Sequence, residues 1–491
     1  MEALTRSASR RVRSALLIGT AVATMAGLGA ATASARPTDG QADPLGDGYA
    51  LRKTKVLHAC FTAQARGRSR DICVHWVNRT ADAPAKADAN QNGRPDQVDR
   101  TIRTLKTVWQ REVVELGYRL PRSDRGPRRD QGPSRGIDVY LADVGFKGEY
   151  GYCTTDHRSA SQRKQAIAPA YCVLDNDFSK QQFPAPDING VDALHVTLAH
   201  EFFHAIQFAY EYSHRDQWLR EGTAVWMENE VYPDVHADYQ FLDESPLSQP
   251  EVPLDAFGAP DTGESPEYGA WIFWRFLSEY LGTDAVREVW NHVANGDSAL
   301  SAVEAAGADR DPRRCILYCT PSGLADVLAE FHLWNLLTSQ PSYWDHWFAP
   351  RLWRDLFTQT YAEESGYGDA IQPVPSDAEF FLDPNTPATG IRRLTLDHLS
   401  ARSVDIVLPQ GGPVRVQLYL PRPEHGAAAT IVWADANSVN GHPVALDANG
   451  RGTFEIPEPT QIGPEFIVVL LHNASPSRDA QPYYYSARLL P

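Results

Sequence analysis

His200 and His204 stand four residues apart in Leu198-Ala-His-Glu-Phe-Phe-His204. On an α-helix that spacing projects both imidazoles from one face, about one turn apart. Two imidazoles at this pitch can hold one tetrahedral Zn²⁺ at roughly 2.0–2.1 Å each. Glu201 lies about 100° round the helix from His200, near such a metal but poorly placed to ligate it. A carboxylate there can take a proton from water whose pKa the metal lowers to about 7. The chemistry of an H-E-x-x-H arrangement is metal-assisted hydrolysis.

The element that must carry these residues is apolar nearly all round. Leu194, Val196, Leu198, Ala199, Phe202, Phe203, Ile206 and Phe208 spread over every face of Val191 to Tyr210, so the spacing predicts a buried helix. Two His and a Glu in such a helix need strong partners, because burying unpaired polar groups costs several kcal/mol. A bound cation would satisfy all three. A second helical run, Glu221 to Glu230, follows a polar break at 213–216. A helix, a turn and an antiparallel helix can return the Glu221 carboxylate to the imidazoles. Gly222 would remove a side chain where the two helices approach. Three ligands leave a fourth position for water, as a catalytic site requires.

His200-Glu-Phe-Phe-His204 followed by Trp218-Leu-Arg-Glu-Gly-Thr-Ala-Val-Trp-Met-Glu228 resembles the gluzincin branch of zinc metallopeptidases. The resemblance implies His200, His204 and Glu221 as zinc ligands and Glu201 as general base. It spans roughly residues 130–300 and points to exported bacterial peptidases with a D-x-N-x-N-G loop upstream. Thermolysin itself is a poorer match, because Val225 stands where its motif has an Asp. Related gluzincins place a helix after the third ligand, in which a Tyr or His stabilises the oxyanion. Tyr268 in Tyr268–Gly282 is the candidate, with a packing tyrosine as the alternative. Glu228, on the same face as Glu221, could orient a ligating His or be a solvated residue.

Residues 88–99 form a second metal-type motif. Asp88, Asn90, Asn92, Asp96 and Asp99 fall at positions one, three, five, nine and twelve, Gly93 at six, and Arg94 offers its carbonyl at seven. This is the spacing of an EF-hand calcium loop, except for Asp at twelve. The expectation is a lone structural Ca²⁺ loop, with a polar turn as the alternative. Helical spacing of Val98, Ile102, Leu105, Trp109, Val113 and Leu116 follows, with Gly117 as its stop.

Strands are expected at Ile72–Val77, 136–141 and 170–174, and Tyr171–Phe178 is the candidate edge for pairing with an extended peptide. Residues 232–266 read as a loop over the cleft. Helices rich in Trp and Phe continue at Val327–Leu337 and Tyr343–Tyr361. Beyond Pro373-Val-Pro375 and Asp383-Pro-Asn-Thr-Pro387 the pattern changes to alternation. Six or seven short strands from Val404 to Leu490 predict a β-sandwich.

At 491 residues the chain suggests two or three domains. Residues 1–35 read as a secretory signal, with Arg6, Arg10, Arg11 and Arg13 before an apolar run and Ala33-Ser-Ala35 as cleavage site. Residues 36–55 read as a leader or pro-segment. Loss of four Arg and one Glu with the signal takes the net charge from −16 to −19. So acidic a product is a poor partner for nucleic acid or anionic membrane. No later run of about 18 apolar residues could span a bilayer. The six cysteines fall in near pairs, Cys60 with Cys73, Cys153 with Cys172 and Cys315 with Cys319, and an exported chain favours disulfides.

The sequence therefore predicts an α+β chain. A zincin-like metallopeptidase domain over 36–384 has a small sheet, the H-E-x-x-H helix and a mainly helical second half. An all-β sandwich follows over 385–491. The expected function is that of a secreted, extracellular zinc endopeptidase acting on peptide or protein substrates. A non-catalytic binding module with structural zinc, and a zinc hydrolase of a non-peptide bond, are the alternatives.

Overall fold

The computed structural model describes residues 55–123, 134–155, 167–183, 188, 190–212, 216–258, 265–308, 310–339, 376–408, 411–434, 439–456 and 466–490. The signal and the leader up to residue 54, residues 124–133, the expected helix Tyr343–Tyr361 and Pro373–Pro375 lie outside them.

The chain opens with β1 (Val56–Ala65) and β2 (Arg68–Val77), an antiparallel hairpin. Arg66 and Gly67 both take positive φ at its tip, as a tight two-residue hairpin turn requires. Then come α1 (Asp96–Trp109), β3 (Ile137–Ala142), β4 (Gly151–Thr154) and β5 (Tyr171–Asp175). A π-helical stretch, Gln110–Glu115, prolongs α1, and Gly117 at φ +75° ends it. The sheet order is β1-β2-β3-β5-β4, with β3 parallel to both β2 and β5 and β4 antiparallel to β5. Hence β5 is paired on both sides, and the edge expected at Tyr171–Phe178 is supplied by β4 instead.

Under the sheet run α2 (Gly190–Gln207) and α3 (Gln217–Val231). From Ala193 to Gln207 only His195 of α2 escapes full burial, as its all-round apolar sequence dictates. A 3₁₀ stretch, Ala237–Glu244, precedes α4 (Pro266–Gly269) and α5 (Trp271–Tyr280). A Cβ on Gly222 would stand 2.8 Å from the Trp274 ring. Its missing side chain thus admits the Trp274 ring of α5. The helical half ends with α6 (Asp284–Ala294), α7 (Ala299–Ala308) and α8 (Leu324–Ser339).

Among the described residues, nine strands form the C-terminal sandwich. One sheet is β11-β10-β13-β8-β6 and the other β12-β9-β14-β7. Their spans are β6 (Ala378–Phe381), β7 (Arg392–Leu396), β8 (Ser400–Val407), β9 (Val414–Tyr419), β10 (Ala427–Ala434), β11 (Val439–Pro443), β12 (Arg451–Ile456), β13 (Phe466–Asn473) and β14 (Gln481–Leu489). Strand β6, ahead of residue 385, pairs in parallel with β8. Alternation such as the buried Val414, Val416 and Leu418 against exposed Arg415, Gln417 and Tyr419 fills a core between the sheets.

The sandwich packs on the helical half. Leu254 N donates to Leu399 O at 3.1 Å and Ala401 N to Pro250 O at 2.8 Å. His332 of α8 stacks on His472 of β13 at 5.7 Å. All six cysteines are paired, as Cys60–Cys73, Cys153–Cys172 and Cys315–Cys319. Three disulfides suit an oxidising environment. Among the described residues, no helix is long and apolar enough to cross a membrane.

Candidate metal centre

Helix α2 presents His200 and His204 one turn apart, their rings 4.7 Å apart and nearly perpendicular. Helix α3 runs back beside it and delivers Glu221. One Glu221 oxygen, Oε2, lies 3.3 Å from His200 Nε2 and 3.3 Å from His204 Nε2. Ligand atoms about 2.05 Å from a tetrahedral centre are themselves about 3.3 Å apart. Both distances from Glu221 Oε2 therefore already match the spacing that zinc demands, and the three ligand atoms lie within 4.8 Å of one another.

Each imidazole is fixed from behind. His200 Nδ1 and Glu228 Oε1 are 2.7 Å apart, and His204 Nδ1 and Gln207 Oε1 are 2.8 Å apart. Both contacts leave Nε2 turned toward Glu221. The Gln207 amide in turn donates to Arg220 O at 2.9 Å and to Thr223 Oγ1 at 3.1 Å. Glu228 was recognisable from its helical register with Glu221. Gln207 was not singled out in the sequence, although its place three residues after His204 was the available signal.

All five acidic and imidazole groups are buried, from 3% exposure for His204 and Glu221 to 8% for His200. Burial would depress the His200 imidazolium, but Glu221 and Glu228 outweigh it and push its pKa well up. Burial would raise the Glu221 carboxyl, yet His204 and His200 hold it well below the usual carboxylate range. Burial raises Glu201 and Glu228. Glu201 Oε2 and Glu221 Oε1 are buried with no hydrogen-bond partner among the described residues. Orphaned carboxylate oxygens beside two oriented imidazoles are what a dication would satisfy. The donor set and its spacing fit zinc.

Tyr268 closes one side. Its ring lies parallel to His200 at 6.0 Å and to Phe241 at 5.1 Å, and its hydroxyl bonds the Glu221 carboxylate. The cleft in front of His200 and Glu201 is lined by Tyr150 and Gly151 at the sheet edge, Val196 and Thr197 of α2, and Gln240 and Phe241 of the 3₁₀ stretch.

The 88–99 loop is closed by its own bonds. Asn90 and Asn92 amides donate to Asp99 Oδ2 at 2.8 and 2.6 Å, and Arg94 Nε to Asp99 Oδ1 at 2.9 Å. Asp88 accepts the Asn92 and Gly93 N–H groups, and Asp96 that of Ala89. Among the described residues, the clusters of three or more His, Cys, Asp or Glu ligand atoms within 4.8 Å of one another do not include this loop. Such a cluster does occur at Cys73, His75 and Asp138, but the Cys73 sulfur is committed to its disulfide.

An H-E-x-x-H helix with a distal glutamate from the next helix is the gluzincin type of metal site, and it makes this α+β protein a zinc metalloenzyme. Its buried His, His, Glu and Glu cluster supports a metal-dependent hydrolase. No family model and no curated protein matches the chain. Solved structures match at low similarity. The pre-peptidase C-terminal domain of a Bacillus anthracis collagenase is 10% identical, covering 23% of this chain and 97% of that one, with a TM-score of 0.17. The periplasmic lysozyme inhibitor PliG of Aeromonas hydrophila is 8% identical, covering 24% and 100%, with a TM-score of 0.16. Neither likeness carries an argument.

Proposed function

We propose that the chain is a secreted zinc endopeptidase of the gluzincin type, with residues 36–375 as its catalytic part and the sandwich from β6 onward as a second domain. His200, His204 and Glu221 would hold the zinc. When bound, the metal supplies a Lewis acid for the scissile carbonyl and for water. Glu201 takes a proton on Oε2 and returns it to the leaving amine. Its buried, partnerless oxygen beside the ligands is the observation that carries this reading. Burial, which raises its pKa, brings it nearer the neutral range a general base needs.

A peptide substrate is supported by the cleft wall. Among the described residues strand β4 pairs only with β5, and Tyr150 and Gly151 line the cleft beside it. An extended chain can add to that edge by main-chain hydrogen bonds. Tyr268 would supply the donor to the developing oxyanion, a role supported by its ring lying parallel to His200 at 6.0 Å.

The test is hydrolysis of an unfolded protein by the wild type and Glu201→Gln, with zinc content measured in both. Cleavage by the wild type alone, with zinc in both, is expected. Zinc in both without any cleavage would refute the peptidase reading, and zinc in neither would refute the metal site.

Calcium at 88–99 is a separate proposal resting on the ligand spacing. It requires Arg94 and the Asn amides to turn away from Asp99. Millimolar Ca²⁺ should then raise the melting temperature of the wild type and not of Asp88→Ala. An equal response of both would remove the proposal.

A further inference from the structure

A basic cleft lies apart from the metal centre, at the C-terminal end of α2. Arg66, Arg68 and Arg70 of the β1–β2 hairpin and Arg119 and Arg122 of the segment after Gly117 line one cavity of about 750 Å³. Among the described residues that line it there is no carboxylate, in a chain whose net charge is −16. Among the described residues, no carboxylate pairs with Arg66, Arg68, Arg119 or Arg122.

Three of the five guanidinium groups are held by neutral partners. Arg66 donates to Gly117 O at 2.6 Å and also to Tyr118 O. Arg70 Nε donates to Pro121 O at 2.8 Å. Arg119 sits over the Tyr210 ring at 4.3 Å, and its backbone N–H donates to the Tyr210 hydroxyl at 3.0 Å. These contacts orient the groups without cancelling their charge. Bracing of the local backbone accounts for Arg66 and Arg70 but not for exposed Arg68 and Arg122. The like charges of Arg66, Arg68, Arg119 and Arg122 around one cavity repel one another, and a multivalent anion removes that cost.

We propose that this cleft binds a ligand carrying two or more phosphate groups in close succession. The guanidinium fork matches phosphate oxygens in bidentate geometry. Each phosphate ester carries about −1.5 to −2 charge at neutral pH, so two or three of them balance Arg66, Arg68, Arg119 and Arg122.

The probe is inorganic tripolyphosphate, titrated calorimetrically into the full chain, with citrate and a sulfated disaccharide as the other arms. One tripolyphosphate per chain is expected, bound at least about threefold more weakly at about 200 mM than at about 50 mM salt. Arg68→Ser/Arg122→Ser should weaken it at least about tenfold, since two charge-assisted contacts are lost. Arg415→Ser, on the distant sandwich, should leave it unchanged, and Arg122→Glu alone provides a second test if the double variant does not fold. Absence of saturable binding, or equal binding by the double variant, overturns the proposal. Equal affinity for citrate or the sulfated sugar overturns the assignment to phosphate.

Discussion

Glu228→Ala should weaken zinc binding far more than Gln207→Ala, although each removes one contact to one ligating histidine. Glu228 Oε1 meets His200 Nδ1 at 2.7 Å with both groups buried. A hydrogen bond to a charged group contributes about 1.5–3 kcal/mol. Its loss corresponds to roughly 10- to 150-fold in the zinc dissociation constant. Gln207 offers a neutral amide to His204 at 2.8 Å. A neutral bond contributes about 0.5–1.5 kcal/mol, or roughly 2- to 12-fold. Removing Gln207 also strips a donor from the Arg220 carbonyl and Thr223 hydroxyl, so its larger effect should fall on the melting temperature of the metal-free protein. Glu228→Gln keeps an acceptor without the charge and should lie between. The assay is competition with a chromophoric chelator at fixed pH and salt. Equal weakening by both Ala variants, or less than about threefold for Glu228→Ala, would refute the claim that charge behind His200 tunes the metal.

Acid should loosen the protein through the buried His332–His472 contact. Burial holds the His332 imidazole down at about 3 and pushes His472 well below the ordinary value. Both are neutral in the fold and charged in the unfolded chain below about 6.5, so the unfolded chain binds the extra protons. Stability thus falls as pH drops from about 6.5 toward 3, with His332 alone contributing on the order of 4 kcal/mol. Melting curves between pH 7 and 4 should show this slope and a shallower one in His332→Leu; a flat wild-type profile would contradict it. Gly222→Ala should cost about 1–3 kcal/mol, because the new methyl meets a Trp274 ring whose N–H is tied to Trp218 O at 3.0 Å. An unchanged melting temperature would show that the ring yields.

The metal centre was readable because its geometry is mostly local. Helical periodicity alone places His200 beside His204 and Glu228 beside Glu221, and a helix hairpin closes the rest. The sheet edge was misplaced because a strand's neighbours are decided by distant chain. Four residues, Gly151–Thr154, give too short an alternation to announce a strand. A usable signal nevertheless stood in the cysteines. Cys60 lies directly opposite Cys73 on β1 and β2, and Cys153 opposite Cys172 on β4 and β5. Each near pair, read as a cross-strand pair, would have revealed the partner strand that the pattern missed. Arg66-Gly67 between two alternating runs likewise marked the β1–β2 hairpin. The use of Gly222 was out of reach, since nothing in its own neighbourhood names Trp274.

The two main-chain bonds from Pro250 and Leu254 to Ala401 and Leu399 have a meaning for how this chain could have been assembled. They tie the segment directly after the 3₁₀ stretch, and so the far bank of the cleft, to the start of a sandwich strand. A carbohydrate- or surface-binding appendage can be exchanged between enzymes like a tool on a handle. Here the handle is part of the cutting edge. Shuffling this sandwich onto another scaffold, or removing it, would take away the abutment against which one bank of the cleft rests. The two halves are therefore expected to have diverged as one inherited unit.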